Sequence, residues 1–143
     1  MTFLDKLKTK DTQFCVIGLG YVGLPLAVEV ANVGINVTGV DIDANKVDMI
    51  NKGENYTGDV KDEELKAAVD KGLIKATTDF SVINDMDVVS ICVPTPLNKL
   101  KDPDMTFITS ALEEIEKYMH KDLVIILEST TYPGTTREYM LPR

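Results

Sequence analysis

Apolar positions along this chain fall into short runs that alternate with stretches of helical periodicity. Phe14–Gly18 (FCVIG) is an apolar run rich in strand formers that stops at a glycine. After it, Val22, Leu26, Val30 and Val33 recur at helical spacing until Gly34, a residue suited to ending a helix. Ile35–Asp41 (INVTGVD) reads as a second strand and Ala44–Gly53 as a short helix. Lys61–Gly72 is a better helix, with acids in its first turn and glycine after its last. Leu73–Asp79 predicts a short third strand, and Asp87–Val93 (DVVSICV) a strong fourth that is halted by Pro-Thr-Pro. Met105–Met119 is periodic through Phe107, Ala111, Leu112, Ile115 and Met119, Leu123–Thr130 is a fifth strand, and Tyr132–Leu141 begins another helix.

Strands that are apolar on both faces and alternate with helices predict a parallel sheet covered on both sides. The expected fold is α/β, a doubly wound parallel sheet of the Rossmann kind, formed as one domain over residues 1–143. No repeat, low-complexity tract or linker interrupts it. A doubly wound domain of six strands is one strand short here. The sequence therefore reads as a Rossmann domain truncated after about five strands, a piece of something longer.

Charge narrows the partners. Fifteen basic and 23 acidic residues give a net charge of −8, a field that disfavours nucleic acid and anionic membrane surfaces. No apolar run approaches the ~20 residues of a membrane span, and the charged opening segment Met1–Asp11 has no signal-peptide core. Cys15 and Cys92 lie inside apolar strand-like runs and read as buried free thiols of a reducing, cytoplasmic environment. Neither has a metal-ligand spacing, and the single histidine, His120, has no partner for a metal site and reads as a solvated connector.

The segment GLGYVG places Gly18, Gly20 and Gly23 in the G-x-G-x-x-G spacing, after a strand and at the opening of a helix. In that context the first glycine permits a tight turn, the second leaves room for a pyrophosphate, and the third lets helix and strand pack closely. The helix N-terminus supplies free N–H groups and a partial positive charge, so an acidic chain can hold an anion without an arginine in the loop. Pro25 removes one donor from the first helical turn. Asp41, 18 residues after Gly23 at the end of the second strand, is placed to accept hydrogen bonds from both ribose hydroxyls of NAD. The same charge would repel the extra phosphate of NADP. A bare glycine motif is also met as a structural turn; the strand, the helix and the spaced acid together favour the cofactor. Asp43 reads as the cap of the next helix. The fourth and fifth strands end in VPTP (Val93–Pro96) and EST (Glu128–Thr130), on the side of an open sheet where ligands bind. Either segment alone could be no more than a strand terminator.

Five segments in order, GLGYVGLPLA, DID followed by Lys46, VPTPL, KDPDM and ESTTYPGTT, resemble the UDP-glucose/GDP-mannose dehydrogenase family, most closely its UDP-N-acetylglucosamine 6-dehydrogenase branch. The resemblance runs from about Phe14 to the end. It implies oxidation of a UDP-sugar C6 alcohol to the carboxylate with two NAD, through a thioester on a cysteine, in the synthesis of surface polysaccharide precursors. It further implies that the loop Gly18, Leu19, Gly20, Tyr21, Val22 and Gly23 meets the pyrophosphate, and that Asp41 and Lys46 meet the adenosine ribose. Without the resemblance Lys46 is an ordinary solvated helix lysine. The resemblance likewise implies that Val93, Pro94 and Thr95 border the cofactor with Ser129, and that Thr130 lies near the nicotinamide, where it helps position a water. The family's catalytic cysteine, lysine and asparagine, and its sugar site, are expected beyond this sequence, as are most contacts of a homo-oligomer. The chain by itself is thus expected to bind cofactor without catalysing the oxidation. Two other readings stand beside this one: a non-enzymatic NAD-sensing Rossmann module, and a dehydrogenase for UDP-glucose, UDP-N-acetylmannosamine or another substrate.

Overall fold

A computed structural model describes all residues, Met1–Arg143. Five strands, β1 (Gln13–Ile17), β2 (Asn36–Val40), β3 (Ile74–Thr77), β4 (Val88–Ile91) and β5 (Val124–Leu127), form one parallel sheet in the order β3-β2-β1-β4-β5. The helices are α1 (Phe3–Thr9), α2 (Gly23–Asn32), α3 (Ala44–Asn51), α4 (Asp62–Asp70) and α5 (Thr106–Tyr118), with a 3-10 turn at Phe80–Asp85 and a π-helical turn at Thr136–Met140. The chain winds outward from β1 through β2 to β3, then crosses back to place β4 on the other side of β1. The direction therefore reverses between β1 and β4, the switch point beyond whose carboxyl ends open α/β sheets bind their ligands.

Alternation along the strands accounts for the two layers. Val16 of β1 joins Val37, Ile74 and the inner faces of α2, α3 and α4 in one core. Its neighbours Cys15 and Ile17 point the other way, into a second core with Val89, Ile91, the 3-10 turn and α5. The central strands β1 and β4 are covered on both faces, so they carry no polar side and read as apolar runs. β5 is only half-buried along its length, as suits an edge strand.

The helical phase differs from the simple periodic expectation in two places. In α2 the buried face is Gly23, Leu24, Ala27, Val28 and Ala31, whereas Val22 and Val33 are exposed. Small residues face the sheet because the helix approaches it closely, and the larger valines are turned aside. In α5 the buried stripe is Ile108, Ala111, Leu112 and Ile115, and Phe107 and Met119 face outward. Phe107 sits one residue, about 100°, off that stripe.

Helix α1 lies within the charged opening segment, where the apolar pattern predicts no element. A capping box explains it: the Thr2 hydroxyl accepts from Asp5 N while the Asp5 carboxylate accepts from Thr2 N. It buries no residue and is tied to the domain by Lys6, whose ammonium lies 2.6 Å from Asp87. His120, though exposed, is not merely solvated: its Nε2 lies 2.9 Å from the Met86 carbonyl oxygen.

Candidate functional site

The three glycines do three different things. Gly18 has φ +90°, and a Cβ there would lie 2.7 Å from the Cys92 carbonyl oxygen, so both the turn and the end of β4 demand glycine. At Gly23 a Cβ would sit 1.6 Å from the Gly18 carbonyl oxygen, which is what lets α2 start directly against β1. At Gly20 a Cβ would meet nothing within 4 Å. The first and third glycines are required by the fold itself; the second faces open space, where an approaching pyrophosphate would require its smallness.

Leu19 is buried and packs on Gly39, so it offers a ligand only its backbone, while Tyr21 and Val22 are exposed on the loop. The N–H groups of Gly20, Tyr21 and Val22 donate to no protein acceptor, and no side chain caps the start of α2. They are the orphan donors of a helix N-terminus, gathered beside a glycine with free space. Pro25 is the third helical residue. It omits one bond of the first turn, while Leu24 N to the Gly20 carbonyl (3.1 Å) and Leu26 N to the Val22 carbonyl (3.2 Å) form on either side.

Asp41 stands at the end of β2 with its carboxylate turned into this loop. One oxygen accepts from Leu19 N at 2.8 Å and the other from Asp43 N at 2.9 Å. The side chain is nearly buried, yet each carboxylate oxygen keeps acceptor capacity for a further donor. Asp43 caps α3 through Asn45 N at 2.9 Å, as expected. Lys46 makes no ion pair with Asp41; its ammonium lies 6.0 Å from the centroid of the Tyr56 ring.

The ends of β4 and β5 are bolted together. Ser129 Oγ donates to the Val93 carbonyl oxygen at 2.7 Å, and Thr95 Oγ1 donates to the Thr130 carbonyl oxygen. Glu128 N and Ser129 N both reach the Ile91 carbonyl oxygen, at 2.9 and 3.2 Å. Ser129 thus spends its hydroxyl on the brace, whereas the Thr130 side chain remains exposed beside Pro94 and the half-buried Thr95. These segments flank the turn at Gly18, since Cys92 lies directly beneath it.

Neither thiol is poised for chemistry. Burial pushes Cys15 up to about 12. Cys92 is also raised, mainly by burial, with Ser90 pulling the other way and Glu128 adding to the rise. Both stay protonated near neutral pH and are poor nucleophiles. No helix is long and apolar enough to cross a membrane, and no group of three His, Cys, Asp or Glu is placed to hold a metal ion.

Tyr56 belongs to this site and has no motif to announce it. It lies in the connector between α3 and α4, its ring packs against the core beneath α2, and its hydroxyl donates to the Leu19 carbonyl oxygen. Desolvation, followed by the nearby Asp41 and Asp43 carboxylates, pushes its hydroxyl well above the ordinary tyrosine range.

A parallel sheet reversing at β1/β4, a glycine turn with free donors and an acid at the end of β2 together define a dinucleotide-binding Rossmann domain. Residues 12–143 match the family model described as the UDP-glucose/GDP-mannose dehydrogenase family, NAD binding domain. The chain belongs to that family, and NAD is its cofactor. It is 38% identical over 133 residues to a UDP-N-acetyl-D-glucosamine 6-dehydrogenase of Pseudomonas aeruginosa, covering 93% of this chain and 31% of that protein. It is 39% identical over 128 residues to a UDP-N-acetyl-D-mannosamine dehydrogenase of Salmonella typhimurium, covering 89% of this chain and 30% of the other. Among solved structures, a ternary complex of GDP-mannose dehydrogenase from Pseudomonas aeruginosa superposes with a TM-score of 0.84 at 32% identity, over 90% of this chain and 31% of that one. The chain thus spans about a third of the length of these relatives.

Proposed function

We propose that this chain is the cofactor-binding part of a nucleotide-sugar 6-dehydrogenase that oxidises the C6 alcohol of a UDP-sugar, UDP-N-acetylglucosamine, to the carboxylate. The product would be a precursor of surface polysaccharide made in the cytoplasm. The observation that carries the reading is the joined loop: free N–H groups at Gly20, Tyr21 and Val22, and a buried Asp41 carboxylate hydrogen-bonded to that same loop. The free N–H groups hold the pyrophosphate, and the spare lone pairs of Asp41 take the adenosine ribose hydroxyls. In this reading Lys46 joins Asp41 at the adenosine ribose, and Val93, Pro94, Thr95 and Ser129 border the cofactor. When bound, NAD supplies the hydride acceptor, twice per sugar.

Thr130 is the one residue of this chain assigned to the reaction itself. Its side chain, exposed at the carboxyl end of β5 and held in place by the Thr95 bond to its own carbonyl, positions a water near the nicotinamide. A thioester step needs a reactive thiol, and Cys15 and Cys92 are buried and protonated. The reading therefore gives neither thiol the nucleophile's role and, on family membership, looks for the nucleophile, the sugar site and the oligomer contacts outside these residues. Without them the sugar C6 is not placed against the nicotinamide and water is not excluded.

The test is spectrophotometric. Purified protein encoded by the whole reading frame is incubated with NAD and a panel of UDP-sugars at 340 nm, beside the 143-residue chain alone. The reading expects two NADH per UDP-N-acetylglucosamine from the former and none from the chain. Steady NADH production by the chain, or preference for another sugar, overturns the corresponding part of the proposal.

A further inference from the structure

The peptide between Leu19 and Gly20 is held by contacts that reach it from distant parts of the chain. Leu19 N donates to Asp41, 22 residues away, and the Leu19 carbonyl accepts from Tyr56, 37 residues away. No cis peptide occurs in the chain. In a planar trans peptide the carbonyl and the following N–H point in opposite directions. Fixing the Leu19 carbonyl toward Tyr56 therefore turns the Gly20 N–H to the other side. That N–H has no protein acceptor, and of the three loop glycines Gly20 is the one with free space around it.

Tyr56 is itself well anchored. Asn55 accepts from Thr57 N at 2.9 Å and donates through Nδ2 to the Val60 carbonyl and to Asp62. The connector is thus braced on both sides of the tyrosine, whose ring packs on the core under α2. We propose that Tyr56 is a positioning residue for the cofactor: its hydroxyl pins the Leu19 carbonyl and so holds the Gly20 N–H ready for the pyrophosphate. The inference rests on the cofactor reading above and adds to it a residue outside the glycine loop and the ribose acid. The raised pKa of the hydroxyl agrees, because a phenol that stays protonated stays a donor.

Tyr56→Phe removes the hydroxyl and keeps the ring with its packing. Binding of NADH, ADP and adenosine to wild type and variant is measured by fluorescence titration and competition, well below both melting transitions. Losing one loop-orienting hydrogen bond should weaken NADH and ADP about three- to tenfold. Adenosine, which has no phosphate, should bind both proteins equally. A purely structural tyrosine would lower the melting temperature and leave the ligand affinities unchanged, or weaken all three ligands alike; either result overturns the proposal. Should wild type itself fail to bind NADH, the cofactor reading falls, and that outcome is distinct from a wild type and variant that bind equally.

Discussion

Asp41→Asn is the perturbation whose consequences follow most directly from the geometry. Each carboxylate oxygen already accepts one backbone N–H, from Leu19 at 2.8 Å and Asp43 at 2.9 Å. An amide can supply only one acceptor oxygen, so its NH2 must face one of two N–H donors. One charge-assisted bond is lost, the other becomes neutral, and a donor is left unpaired. Hydrogen bonds to a charged group contribute about 1.5–3 kcal/mol each, and a buried unpaired donor costs about 1–3 kcal/mol. Allowing for partial relaxation, the native state should lose about 2–4 kcal/mol. For a domain of this size that corresponds to a fall in melting temperature of roughly 5–12 °C. The ribose loses an acceptor as well, so NADH affinity should drop about tenfold or more. NADPH should lose less, because the charge repelling its extra phosphate is gone. Urea unfolding and paired NADH and NADPH titrations read both effects. An unchanged urea midpoint together with an unchanged NADH:NADPH ratio would refute the reasoning.

Other perturbations test neighbouring parts of the site. Gly20→Val should abolish NADH binding with little change in far-ultraviolet circular dichroism, since a Cβ there meets nothing within 4 Å. Gly23→Ala should cost about 3 kcal/mol or more in urea unfolding, because its Cβ would lie 1.6 Å from a backbone oxygen. At Asp87 burial acts upward, but the Gln13 N–H and Lys6, with a contribution from His120, hold the carboxyl below its usual range. A lowered folded pKa stabilises the protein above the unfolded value of about 3.9, and that stability is lost as pH falls through the folded pKa. Asp87→Asn should therefore weaken the protein at neutral pH, with the gap to wild type narrowing below about pH 4. Iodoacetamide at pH 8 should label neither cysteine in the native protein and both after denaturation, since both are buried.

What the sequence revealed and what it concealed differ in kind. The glycine turn was legible because Gly18 and Gly23 are set by local backbone geometry, and Asp41 because an acid closes the second strand at the spacing the motif calls for. The two-sided burial of β1 was legible from an apolar run without polar alternation. Helical phase was less so: Val22 and Val33 fit a periodic stripe, but the close approach at Gly23 selects the smaller Ala27 and Ala31 for the sheet. Helix α1 carried a visible Thr2/Asp5 capping box but no buried face, so periodicity missed it. Tyr56 was not legible, because its partner is a backbone carbonyl 37 residues away and its connector has no period. Ser129 was expected beside the cofactor; its hydroxyl bonds the Val93 carbonyl, a brace that only the register of β4 and β5 reveals.

Calorimetric titration of the 143-residue chain with NADH and then with NADPH tests the central claim most directly. The free loop donors and the buried Asp41 carboxylate predict one saturable NADH site per chain, with NADPH weaker by about tenfold or more. Absence of NADH binding, or equal affinity for the two, would contradict it.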